Sequence, residues 1–264
     1  MRVTLTFSIL LALILGANQS VTYASLSSHH PSPKVAIIID DLGNGVEGTE
    51  EMFTIDAPLT VAIMPCLPQT KQEAYRAHRH GFEVILHLPL EATTGPAHWL
   101  GPGAITTKMS NEEIKNQLHN DLAHIPFVVG LNNHMGSRAT ADPRVVKNIL
   151  EVAKEKELFV VDSRTSEETK IPTLSRELGV PYIRRTVFLD NENNPTHIQK
   201  QLHVLAQQAQ TRGWAIGIGH VGIPGKNTAR AIQSMLPFFR EAGIEIVPVS
   251  ELIRIHETEG FFDL

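Results

Sequence analysis

The sequence predicts a single α/β domain built as a deformed or incomplete (β/α) barrel of seven to eight parallel strands, on three observations. First, apolar runs keep ending in an acid or a histidine: IIIDD at 37–41, VILH at 84–87, LNNH at 131–134, FVVD at 159–162 and IGIGH at 216–220. Second, amphipathic segments of helical length separate these runs, the alternation that parallel strands and crossover helices require. Third, 264 residues with 42% apolar content suffice for one large core. In such sheets the carboxyl ends of the strands meet on one rim, so the polar residues that close the runs should converge in space.

Taken along the chain, the expected strands are 35–39, 59–64, 83–87, 127–131, 158–161, 182–183, 215–219 and 245–249. The expected helices are 45–55, 69–80, 110–124, 143–156, 171–178, 196–212 and 226–242. Ser110 and Glu113 have the spacing of a capping box at the start of the third helix. Gly81, Gly179, Gly213 and Gly243 stand where left-handed caps end helices. The fragment GNGVEG at 43–48 follows a strand but lacks both the dinucleotide-binding spacing and the lysine of a phosphate loop. The stretch 91–109 is too long for a plain connection and contains Trp99, which reads as a lid or subsite wall over the rim.

Residues 1–24 combine Arg2, an apolar run from Leu5 to Leu15 and small residues around Tyr23, the pattern of a secretory signal cleaved after Ala24. The apolar run is shorter than the roughly 20 residues that span a bilayer, so no stable membrane insertion is expected after cleavage. A disordered leader is expected at 25–34, the barrel at 35–255 and a tail at 256–264. A net charge of −5 offers no reason to expect nucleic acid as a partner. Cys66 is the single cysteine, which rules out an intramolecular disulfide and suits export to a bacterial envelope or periplasm. With no activating base in view, its thiol reads as structural.

Of thirteen histidines, only His87, His134 and His220 follow strands. Asp40 and Asp41 close the first strand, and two like charges so close call for a cation on one or a proton on the other. Asn132, Asn133, His134, Ser137 and Arg138 make the end of a later strand too polar for packing alone. Asp162 could orient a neighbouring imidazole, and His220, among glycines, suits a general acid. No G-x-S-x-G elbow supports a serine hydrolase, and one cysteine cannot build a thiolate zinc site.

Six segments, AIIIDDLG, APLTVAIMP, GFEVILHLPLE, GLNNHMGS, FVVDSRTS and IGIGHVG, together resemble the divergent polysaccharide deacetylases, distant relatives of NodB-type carbohydrate esterases. The resemblance runs from about Lys34 to Ile253. It implies a NodB-like barrel holding a divalent metal, most often zinc, that activates water to remove an acetyl group from a glycan, with peptidoglycan among the candidates. By the same resemblance Asp40 is the catalytic base, Asp41 a metal ligand and His220 the acid. The family's paired metal histidines correspond to His87 and Glu91, so His134 is expected to replace the missing imidazole, with Glu91 a substitute ligand or a substrate contact beside Arg138 and Arg164. The alternative is a non-catalytic envelope protein that keeps the barrel and binds glycan or a partner.

Overall fold

A computed structural model describes residues 32–259. The expected signal segment and most of the leader lie outside the described residues. The strands are β1 (Lys34–Leu42), β2 (Thr60–Ile63), β3 (Glu83–Leu90), β4 (Val128–Met135), β5 (Phe159–Asp162), β6 (Tyr182–Arg184), β7 (Val187–Phe188), β8 (Trp214–His220) and β9 (Glu245–Ile246). The α-helices are α1 (Thr49–Met52), α2 (Thr70–Arg79), α3 (Asn111–Ala123), α4 (Pro143–Glu155), α5 (Ile171–Leu178), α6 (Pro195–Arg212), α7 (Gly225–Glu241) and α8 (Val249–Glu259).

Every strand pairing is parallel, in the order β6-β5-β4-β3-β2-β1-β8-β7, with β9 added beside the start of β1. The two end strands are consecutive on the chain, and the residues between them span the seam. Arg185 donates its N–H to Asp162 O on β5, and Thr186 donates its N–H to Ile216 O on β8. A bend of one chain, not a ladder between strands, therefore bridges the sheet edges, and the barrel is deformed and incomplete as expected.

Strand alternation sorts the core into two layers. Val35, Ile37 and Ile39 of β1 pack outward against the helices, whereas Ala36 and Ile38 face the interior with Ile85, Val161, Ile183, Ile216 and Ile218. Val249, Leu252 and Ile253 of α8 close that interior layer. The expected strand at 245–249 is thus shortened to Glu245–Ile246, and α8 runs from Val249 as far as Glu259. Val249 donates its N–H to Thr60 Oγ1, and Ser250 donates its N–H to the Glu83 carboxylate. Distant groups thus satisfy the first amides of α8, leaving no local capping signal to read.

Other boundaries moved for local reasons. Lys34, assigned to the leader, opens β1 because it pairs with both Trp214 and Glu245. The helix expected at 45–55 shrinks to four residues because Gly43, Gly45 and Gly48 take positive φ values of 123°, 59° and 87°. The Glu73 carboxylate accepts the Gly43 and Gly45 N–H groups, each at 2.7 Å, and pins this loop behind the paired aspartates. β3 runs on to Leu90 because its Leu-Pro step stays extended. The capping box of Ser110 and Glu113 is present, and the four helix-ending glycines are left-handed.

Candidate metal centre and proton-transfer pair

Alternation brings four of the expected side chains to the interior side of the rim. Asp40 follows Ala36 and Ile38 inward on β1, His87 follows Ile85, and His220 follows Ile216 and Ile218. On β4, Asn132 and His134 share one side, with Asn132 level with His87. Asp41 should point away by the same rule. It does not, because its φ is 69° and the β1–β2 register shifts between Ile39 and Leu42. A left-handed aspartate at a strand end is strained, and it puts both carboxylates on one rim. Met135, the last residue of β4, and Arg164, just past β5, are also left-handed.

Asp41 Oδ1 lies 3.2 Å from His87 Nε2 and 3.0 Å from His134 Nδ1, and the two nitrogens are 3.1 Å apart. The outer nitrogen of each imidazole is already engaged. Asn132 donates Nδ2 to Asp40 Oδ1 at 2.8 Å, which leaves its Oδ1 to accept the His87 Nδ1 proton at 2.7 Å. His134 Nε2 donates to Trp99 O at 3.0 Å. Both lone pairs therefore face Asp41 Oδ1, a buried oxygen that accepts no well-formed hydrogen bond. Three lone pairs in mutual contact repel unless a cation lies among them, so this donor set fits a divalent metal. Without a cation, protons on the two imidazoles would take its place: burial pushes the Asp41 carboxyl upward, but hydrogen bonds and charge from protonated His134 and His87 outweigh it and hold it well below the usual carboxylate range.

The candidate proton-transfer pair, Asp40 and His220, sits beside this triangle. Asp40 is 2% exposed and stands level with His220 across the β1–β8 pairing. Burial, partly offset by the His87 and His220 charges, raises its carboxyl above the ordinary value, which suits a base. His220 Nδ1 lies 2.8 Å from Asp190 Oδ1, leaving Nε2 for the open rim. Asp190 Oδ2 accepts the His220 N–H and the Thr228 hydroxyl, both at 2.7 Å. Burial lowers the His220 pKa, yet the Asp190 hydrogen bond and nearby carboxylates prevail and raise it to about 9.

Asp162 does not orient any of the three histidines. Its Oδ1 accepts the Arg164 N–H at 2.9 Å, and it stands on the helix-facing side of β5, two residues from Val160. The orienting carboxylate is Asp190, which the sequence reading missed. The signal was present, since Val187, Phe188 and Leu189 form one more apolar run ending in an acid, but that strand is only two residues long. Glu91 lies outside the ligand cluster. Its Oε2 accepts from Thr107 N and Oγ1, each at 2.7 Å, and so ties the 91–109 stretch to the end of β3. Arg138 Nε lies 3.6 Å from Glu91 Oε1, and Arg164 is paired with the exposed Glu167 at 3.5 Å. Burial and the Asp121 carboxylate push the Cys66 thiol up, against a nucleophilic role.

The family described as divergent polysaccharide deacetylase matches the chain over residues 37–253. Among curated proteins, the uncharacterized protein YibQ of Escherichia coli (strain K12) is 30% identical over 229 residues, covering 87% of this chain and 70% of the relative. The crystal structure of an uncharacterized protein from Agrobacterium tumefaciens C58 superposes with a TM-score of 0.79 at 25% identity, covering 85% of this chain and 91% of that one. A family 4 acetyl xylan esterase from Clostridium thermocellum, solved in complex with a cobalt ion, shares the fold. Its TM-score is 0.52 at 14% identity, with 85% and 92% of the two chains covered.

Proposed function

The chain belongs to the divergent polysaccharide deacetylase family, and from that premise we propose that it is a metal-dependent hydrolase that removes acetyl groups from a glycan of the bacterial envelope, with peptidoglycan among the candidates. The observation that carries the reading is the placement of Asp40 and His220 beside the Asp41, His87 and His134 triangle. A binding protein has no use for a buried base and an oriented acid next to a metal centre.

A divalent cation held by Asp41 Oδ1, His87 Nε2 and His134 Nδ1 would supply Lewis acidity toward water and the acetyl carbonyl. Asp40 takes the proton of the attacking water. Asn132 occupies Asp40 Oδ1 and leaves Oδ2 for that task. His220 Nε2 gives a proton to the departing amine or alcohol, and Asp190 holds the ring so that this proton faces the substrate. One carboxylate and two imidazoles suit zinc, and the same donors accept cobalt, nickel or manganese.

The signal pattern at 1–24 supports export to the periplasm or envelope. Among the described residues no helix is long and apolar enough to cross a membrane. The test is acetate release from acetylated peptidoglycan fragments and chito-oligosaccharides, before and after metal removal and zinc restoration, beside Asp40→Asn. Zinc-dependent release that the variant lacks supports the hydrolase. Stoichiometric zinc without release from either substrate class would sink it in favour of a glycan-binding protein.

A further inference from the structure

Arg185 stands at the seam where the chain leaves β6 for β7, two residues beyond the interior-facing Ile183. Its Nε donates to Ser163 O at 2.7 Å and its Nη2 to Arg164 O at 3.2 Å, so the guanidinium is held by two backbone carbonyls at the end of β5. It lies 5.0 Å over the Phe188 ring, whose centroid is 5.0 Å from that of the acid His220. No carboxylate among the described residues lies within ion-pair distance of Arg185.

A half-buried guanidinium without an anionic partner is costly, and carbonyl oxygens offset only part of that. Burial and the neighbouring Arg164 charge both push its pKa down, a strain that an incoming negative charge would relieve. Beside it, Ser163 is 5% exposed and its hydroxyl is buried without a hydrogen-bond partner. The guanidinium is thus bonded to the residue that carries the spare hydroxyl, and Phe188 links it to the His220 side of the site. A planar, singly charged anion matches one guanidinium edge and one hydroxyl, and it meets less repulsion from Asp40 than a phosphate dianion would.

We propose that Arg185, with Ser163 and Arg164, forms a subsite for a carboxylate carried by the acetylated sugar, so that the substrate is an acidic glycan such as one bearing a lactyl ether or uronate group. This rests on the glycan reading above and narrows it. Arg185 selects the substrate through its charge and takes no part in proton transfer.

The test is isothermal titration of the full chain with N-acetylmuramic acid and with its methyl amide, which differ only in the masked carboxylate. Wild type should bind the acid about tenfold or more tightly than the amide, the scale of one charge-assisted hydrogen bond. Arg185→Gln should bring the two within about twofold, while Arg185→Lys should keep part of the preference. Equal affinity of wild type for acid and amide overturns the proposal, whatever the variants do. So does a preference that survives in folded Arg185→Gln, or displacement of the sugar acid by an equal concentration of acetate, which would assign the subsite to the released acetate. Because binding is read without turnover, acid preference in a protein that releases no acetate upholds the subsite while the hydrolase reading fails, and turnover without acid preference does the reverse.

Discussion

Asp190 grips His220 twice, through Oδ1 to the ring Nδ1 at 2.8 Å and through Oδ2 to the backbone N–H at 2.7 Å. The first contact orients the ring and favours its protonated form, and the second fixes the strand end that carries it. Asp190 is itself fixed by the Thr228 hydroxyl of α7. The setting of the proposed acid is thus built by the end of β8, the turn after β7 and α7 together.

The pair predicts a pH profile. His220 must be protonated to act as the acid, so activity is present below its pKa, raised to about 9, and lost as pH rises through it. Asp190→Asn removes the main raising interaction, and the alkaline limb should move to lower pH by about one unit or more. An unmoved limb in pH–rate measurements would show that His220 is not the titrating acid. The raised pKa also contributes stability that is complete below about 6.5 and fades as pH climbs toward 9, so the pH dependence of Tm should flatten in the same variant.

Asn132 joins the two halves of the centre, since it accepts from His87 and donates to Asp40. Asn132→Ala frees the His87 ring to turn and leaves Asp40 without its donor. Zinc affinity should fall by about 10- to 100-fold, the usual effect of losing the group that orients a ligand. Competition with a chromogenic chelator measures it, and unchanged affinity would remove Asn132 from the site.

His134→Ala and Glu91→Gln should part company. The first removes a member of the ligand triangle and should abolish stoichiometric zinc. The second removes the charge from the Thr107 contacts and from the Arg138 pairing, so it should keep zinc while modestly speeding proteolysis within 91–109. Elemental analysis and limited digestion separate the two. Zinc loss in Glu91→Gln would restore Glu91 as a ligand.

Leu252 of α8 is 1% exposed in the interior layer below the site. Leu252→Ala should destabilise the fold by about 2–5 kcal/mol in urea titrations, the range for such truncations in a packed core. Zinc stoichiometry should survive, because the ligands stand on strands that α8 does not supply. A change below about 0.5 kcal/mol, the range of ordinary surface substitutions, would mean that α8 does not pack as a plug.

Asp162→Asn provides the contrast to Asp190→Asn. Its carboxylate caps the Arg164 amide and is not bonded to a histidine. The alkaline limb should therefore stay in place while Tm falls. A shifted limb would return Asp162 to the proton-transfer machinery.

The amino-acid sequence by itself determined which strands end in chemistry. Asp40, Asp41, His87, His134 and His220 are legible because a buried run closed by a polar residue is a local pattern, and parallel sheets bring all such ends to one rim. Local pattern also set the capping box and the helix-ending glycines. It could not decide which neighbour each of those residues would meet. Asn132 bridges to Asp40 across 92 positions, Asp190 reaches His220 across 30, and Thr60 caps α8 across 189. Asp41 faces the site only because its backbone is left-handed, and Asp162 points away only because strand alternation runs from Val160. Such outcomes depend on register, handedness and packing between segments distant in sequence, and those are settled when the sheet closes and its two sides acquire different surroundings.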